Sequence, residues 1–155
     1  MSKKVKTARL SIYSNSFLIV LNLVVGVFSG SVSIISEAVH TVVDLLAAVM
    51  AYFSLKISDK PADQKHPFGH GKFENISGVI EALLIFVASG WIIHNAVNRL
   101  IDGEKLIGQY GLTLGFIVMV ISALINLIVS RRLYKVARET DSIALKADAL
   151  HLSTH

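Results

Sequence analysis

Two uncharged runs, Leu10 to Phe28 and Ile107 to Ser130, contain 19 and 24 residues. Each is long enough to cross about 30 Å of hydrocarbon as an α-helix. Two further apolar runs, from about Ser31 to Lys56 and from about Ile76 to Val97, are of similar length but carry ionisable groups. With 53% hydrophobic and only 17% charged residues in 155, the expected class is all-α. The architecture expected is a polytopic membrane bundle of four full spans plus the start of a fifth.

Within the second run, the segment SEAVHTVVD places Glu37, His40 and Asp44 at membrane depth. A charged side chain there costs ~3 kcal/mol or more on insertion scales, and those that persist usually serve ion or proton handling. His40 and Asp44 are four residues apart, so a helix sets them about 6 Å apart along its axis on nearly one face. The far end of the chain, DALHLSTH, repeats the offsets with Asp148, His151 and His155. The two octets read as two halves of one site.

The amino-terminal segment MSKKVKTAR carries four basic residues, residues 56–74 carry four, and residues 131–146 carry five, against none and two in the remaining connections. The positive-inside rule therefore puts the amino terminus and the second and fourth connections in the cytoplasm, with the cell membrane as the expected location. A cleaved signal peptide is disfavoured by the length of the first span and by Asn15 and Asn22 within it. Gly26 and Gly30, like Gly111 and Gly115, have the small-xxx-small spacing of close helix packing. Asp141 is expected to start the fifth helix. His40 and His151 then both fall about 14–15 Å from the starts of their antiparallel spans, near the bilayer midplane. The net charge of +4 lies beside the spans and not in a separate basic stripe, which argues against a nucleic-acid partner. Cysteine is absent, so thiolate metal sites and disulfides are excluded.

Neutral imidazoles with one carboxylate suit tetrahedral Zn²⁺, and two helices giving two ligands each, His40 with Asp44 and His151 with His155, complete the set. Co²⁺, Cd²⁺, Fe²⁺ and Mn²⁺ are alternatives, Mn²⁺ being least suited to imidazole. Imidazole must lose its proton to bind, so metal release is linked to proton uptake. Against this stands a purely structural reading, in which His40 and Asp44 lock two helices together and the carboxy-terminal histidines cap an exposed helix end. Between the second and third spans, Asp63, His66 and His70 form a second candidate metal cluster. Pro67, Gly69 and Gly71 argue against one regular helix carrying all three. The competing reading there is a solvated loop. Glu37 and Asp148 are expected as helix-contact or proton-accessible groups and His94 as a satisfied polar residue, with Glu81 left between helix pairing and proton movement. A membrane metallohydrolase would need an open coordination position and a general base, and the chain has no HExxH. Transport, not catalysis, is the leading expectation.

Together, GSVSIISEAVHTVVD, HPFGHGKFE and ALKADALHLSTH make the chain resemble the cation diffusion facilitator family of divalent-metal transporters. The resemblance implies six transmembrane helices, a cytoplasmic metal-binding domain, a homodimer, and exchange of Zn²⁺ or a related cation for protons across the lipid bilayer. It implies that His40, Asp44, His151 and His155 form the transport site and that Asp63, His66 and His70 match a loop site found in part of the family. The family usually has aspartate where this chain has His155. Residues 1–155 are thus expected to be a transmembrane domain lacking the end of helix five, helix six and the cytoplasmic domain.

Overall fold

The computed structural model describes the backbone of residues 2–102 and 109–154, and their side chains except at 32, 99, 100, 102 and 109–112. All regular structure among the described residues is helical: α1 (Lys3–Ser29), α2 (Val32–Ser58), α3 (Lys72–Asp102), α4 (Gln109–Thr140) and α5 (Ile143–Ser153). The first four are long and apolar enough to cross a membrane. The four expected spans and the fifth start are all present, with α1 starting seven residues before Leu10, α3 four before Ile76, and α4 continuing ten past Ser130. The extensions are polar turns at the ends, such as the basic segment after Ser130 that carries α4 on to Thr140.

Local chemistry sets the boundaries. Ser2, Ser31 and Ser142 are extended, and each hydroxyl accepts from the backbone N–H three residues on, the N-cap arrangement for α1, α2 and α5. Ser142 thus begins α5, one residue later than expected. Asp141 instead takes a left-handed turn at φ 48°, which separates α5 from α4. Gly30 ends α1 at φ 64°, where a side chain would be strained, and so makes the tight α1–α2 turn. Gly26 serves packing: a β-carbon there would stand 2.8 Å from Ile35 Cγ1 and 3.2 Å from the Ile35 nitrogen. The two glycines of this pair therefore have different jobs, close approach and chain reversal. In the other pair, a β-carbon on Gly115 would make ordinary contact with Ile34, and Gly111 lies outside the described side chains.

α1 packs against α2 and α4, while α5 fits among α2, α3 and α4. Only 17% of the apolar window of α3 is buried, against 28–39% in the other three, so α3 lies at the periphery. Lipid tails are as apolar as leucine and give helices little hydrophobic reason to associate, so close van der Waals packing must do it. Accordingly the central cluster is rich in alanine: Ala8, Ala51, Ala137, Ala144 and Ala149 meet Leu55, Leu133, Leu145 and Leu152. Most of these residues belong to the half of the bundle where α1 begins and the α2–α3 connection lies, the loop side. The opposite half, beneath the α1–α2 turn, is the hairpin side.

Glu74, 6% exposed in the first turn of α3, ties the loop side together. Its carboxylate accepts from the Ser142 hydroxyl at the start of α5, from Ser58 Oγ on α2 at 3.4 Å and from Lys4 Nζ on α1 at 3.3 Å. Four helix ends meet at one side chain. Removing it strands buried donors, at a cost of about 1–3 kcal/mol. Glu74→Ala is expected to lower the thermal unfolding midpoint, followed by circular dichroism in detergent, by several degrees more than Glu74→Gln. Equal midpoints for Glu74→Ala and the unaltered protein would show that the clamp carries no stability. Gly26→Val is expected to destabilise by a similar amount, because both a side chain and a backbone atom of Ile35 stand in the way.

Candidate metal centre

α2 and α5 bring two sequence-distant turns together inside the bundle. His151 Nε2 lies 2.8 Å from Asp44 Oδ1, and His40 Nε2 lies 3.9 Å from the same oxygen. The helical four-residue offset stacks His40 over Asp44, and the packing of α5 on α2 delivers His151 from the other side. Asp44 is 5% exposed, so lipid and solvent are both excluded from it. Donors held 2.0–2.1 Å from one tetrahedral ion stand about 3.4 Å apart. The two observed separations bracket that value, so Asp44 is the point at which both histidines meet. Bringing all three groups around one cation needs a rearrangement, since among the described residues three ligand atoms lie within 4.8 Å of one another only in the loop cluster below. His155, the fourth expected ligand, lies outside the described residues.

A cavity of about 300 Å³ abuts this cluster, lined by Glu37, His40 and His151 together with Ile85, Ser89 and Thr154. A second, of about 230 Å³, shares Glu37, His40 and Ile92 and reaches Ser33, Trp91 and Asn95 on the hairpin side. Glu37 thus stands over His40 on the approach and is not grouped with Asp44 and His151. Asp148 turns toward α1, where Oδ1 accepts from Ser11 Oγ at 3.2 Å. Glu81 on α3 is 2% exposed, has neither oxygen hydrogen-bonded, and lies within electrostatic reach of Asp148. His94 faces outward and contacts Asn98, one turn along its own helix, at 3.1 Å.

The loop cluster also assembles. One ligand atom each from Asp63, His66 and His70 lies within 4.8 Å of the others. His66 Nδ1 is 3.2 Å from Asp63 Oδ1, and His70 Nε2 is 3.5 Å from Asp63 Oδ2. As expected from Pro67, no helix carries them. The three sit in the turns between α2 and α3, where the backbone N–H groups of His66 and Lys65 donate to Asp63 Oδ1 at 2.7 and 2.9 Å. The His66 N–H bond above all holds the Asp63 carboxyl below the usual aspartate range, so it stays ionised in mild acid. Asp63 and His66 are exposed while His70 is buried, stacked on Phe73 with its Nδ1 unbonded. Such an arrangement leaves coordination positions open to water on one side.

Sequence reasoning passed over two sets of residues. Glu74 reads as one more acid in a polar loop, and nothing local reveals its three partners. Ser11, Asn15 and Asn22 stand on one face of α1 and are buried, although they lie in an apolar run. Their spacing of four and seven was a usable signal.

Comparison with known proteins bears on the family of the chain. A profile described as the cation efflux transmembrane domain matches residues 8–154. An uncharacterized transporter of Synechocystis is 36% identical over 126 residues, covering 81% of this chain and 40% of its own length. The magnetosome protein MamB of Magnetospirillum gryphiswaldense is 33% identical over 126 residues, covering 81% of this chain and 41% of its own. The manganese efflux system protein MneP of Bacillus subtilis is 28% identical over 130 residues, 84% of this chain and 41% of its own. The chain spans about two-fifths of the length of these relatives. With the match running through both histidine-bearing turns of a helical membrane bundle, the chain belongs to the cation diffusion facilitator family of divalent-metal transporters.

Proposed function

We propose that the chain carries the ion-translocating part of a proton-coupled exporter of a divalent metal, with His40, Asp44, His151 and His155 as the transport site. The observation that supports this most is the meeting of His151 with Asp44 beside His40, two ionisable turns at membrane depth sharing one oxygen. A pure helix lock would not need the cavity beside His40, whose lining includes Glu37 and Ser89. Membership of a transporter family weighs against the hydrolase reading. The cation replaces protons on the imidazoles and is released when they return, as rocking helices expose the site to one face and then the other. By the positive-inside rule the amino terminus faces the cytoplasm, so the cation leaves the cytoplasm across the cell membrane. A homodimer is the assembly that the family resemblance implies; the apolar residues that α3 turns outward, Leu83, Phe86, Val87 and Ile93, are those of a lipid-facing helix.

Imidazole-rich ligation favours Zn²⁺, then Co²⁺, Cd²⁺ and Fe²⁺, over Mn²⁺. The manganese efflux relative makes Mn²⁺ the competitor to test. Asp63, His66 and His70 serve as a second, weaker cation site at the loop surface. The decisive experiment is flux in proteoliposomes with an imposed pH gradient. Zn²⁺ uptake is expected to follow the gradient, and identical uptake without it would remove proton coupling. Asp44→Ala is expected to weaken Zn²⁺ binding by calorimetry at least tenfold with the helical circular dichroism signal retained. Binding that survives that change would move the transport site elsewhere. Asp63→Ala, in contrast, is expected to remove one weak binding event and leave the interior one.

A further inference from the structure

Away from the His40 cluster, α1 and α4 both carry buried polar side chains, Ser11, Asn15 and Asn22 on one and Ser122, Asn126 and Ser130 on the other. These helices run antiparallel, and two contacts fix their register. Lys3 pairs with Glu139 at one end. Further in, Ser11 bonds Asp148 while Ser130 Oγ donates to the Ala149 carbonyl at 2.6 Å, so Ser11 and Ser130 lie at one level of α5. The same register sets Asn15 level with Asn126 one turn nearer the hairpin side, and Ser122 and Asn22 beyond them. Both amide atoms of Asn15 and of Asn22 are buried without a hydrogen bond to the protein, as are Asn126 Oδ1, Ser122 Oγ and Asp148 Oδ2. Buried polar groups are nearly always paired, and where protein offers no partner, ordered water does.

The placement of these groups is a column, not a scatter. One helical turn rises about 5.4 Å, the length of two hydrogen bonds through a single water, so water held at one level reaches the next. Toward the loop side the column stops, because Val5, Ala8, Leu133, Val136 and Ala137 fill the seam. At its inner end stands Asp148, 1% exposed. Ser11 of α1 bonds Asp148, and Asp44 of α2, Glu81 of α3 and His151 one turn along α5 lie within its electrostatic reach; Ser130 of α4 lies at the same level.

We propose that the α1–α4 seam binds a file of ordered water, held by Asn15, Asn22, Ser122 and Asn126, running from Asp148 toward the hairpin side. It gives protons a way to the transport site separate from the cavity at His40 that admits the cation. The use by protons rests on the antiport reading above; the water itself does not.

The test combines an experimental structure at a resolution that shows water with proton counterflow in Zn²⁺-loaded proteoliposomes, read by a pH-sensitive dye. Density for water bridging Asn15 and Asn126 is expected, and density showing the amides bonded only to each other would overturn the file. Asn15→Leu with Asn126→Leu, which keeps the branching of the side chain and removes polarity, is expected to slow counterflow at least tenfold while Zn²⁺ affinity stays within twofold. Asn15→Ser with Asn126→Ser is expected to retain counterflow, which also guards against a leucine pair that fails to fold. Unchanged counterflow in the leucine pair, or its loss in the serine pair, would overturn the proton route. Bridging water in a protein that moves no protons at all would instead sink the antiport reading and leave the file standing.

Discussion

The contact between Asp44 and His151 is the interaction on which the rest of the bundle depends. A carboxylate in a lipid-embedded interior is stable only if something charged or hydrogen-bonding meets it. Here the partner comes from α5, a helix of 11 residues that could not hold itself in place by length. Its position comes from elsewhere: Ser142 fastens its start to Glu74, Ser130 holds the Ala149 carbonyl, and Ser11 holds Asp148. Each of those anchors lies on a different neighbouring helix. The cluster is therefore a property of five helices, though two supply its described side chains.

The two halves of the bundle are built on different principles. On the loop side, alanines bring backbones close, with the Glu74 clamp fastening helix ends. On the hairpin side, the Gly26–Ile35 approach holds α1 against α2, while polar groups and cavities occupy the interior. Both cavities described above touch His40. Parting the helices on the loop side would separate close-packed alanines and release Glu74 from several partners at once. That is a discrete event, and packed interfaces switch between arrangements more readily than they deform continuously. The weakly buried α3 links both halves, since it carries Glu74 at one end and lines the cavity with Ile85, Ser89 and Ile92 further along.

The loop cluster differs from the interior one in what organises it. Asp63 is set by backbone N–H groups in a turn, a local arrangement that survives without long-range packing. His70 is set by burial against Phe73 at the base of α3. An exposed carboxylate with one free and one buried imidazole leaves water access, whereas Asp44 is shut away among helices. Two clusters with nearly the same donor types thus offer a cation very different surroundings.

Hydrophobic runs bounded by serine, glycine and basic residues were enough to determine the class, the number of helices and most of their ends, because capping and membrane length act over a few residues. The repeated offsets of Glu37–His40–Asp44 and Asp148–His151–His155 also singled out the turns that meet, since ionisable groups have few reasons to lie in lipid. What the linear pattern could not decide is which of these groups face each other. Only the packing of α5 separates Asp148, turned to Ser11, from His151, turned to Asp44, although the two are one helical turn apart. Only the junction of four helix ends gives Glu74 its role. Side-chain partners more than a hundred residues apart depend on helix register, and register is set by the whole bundle at once.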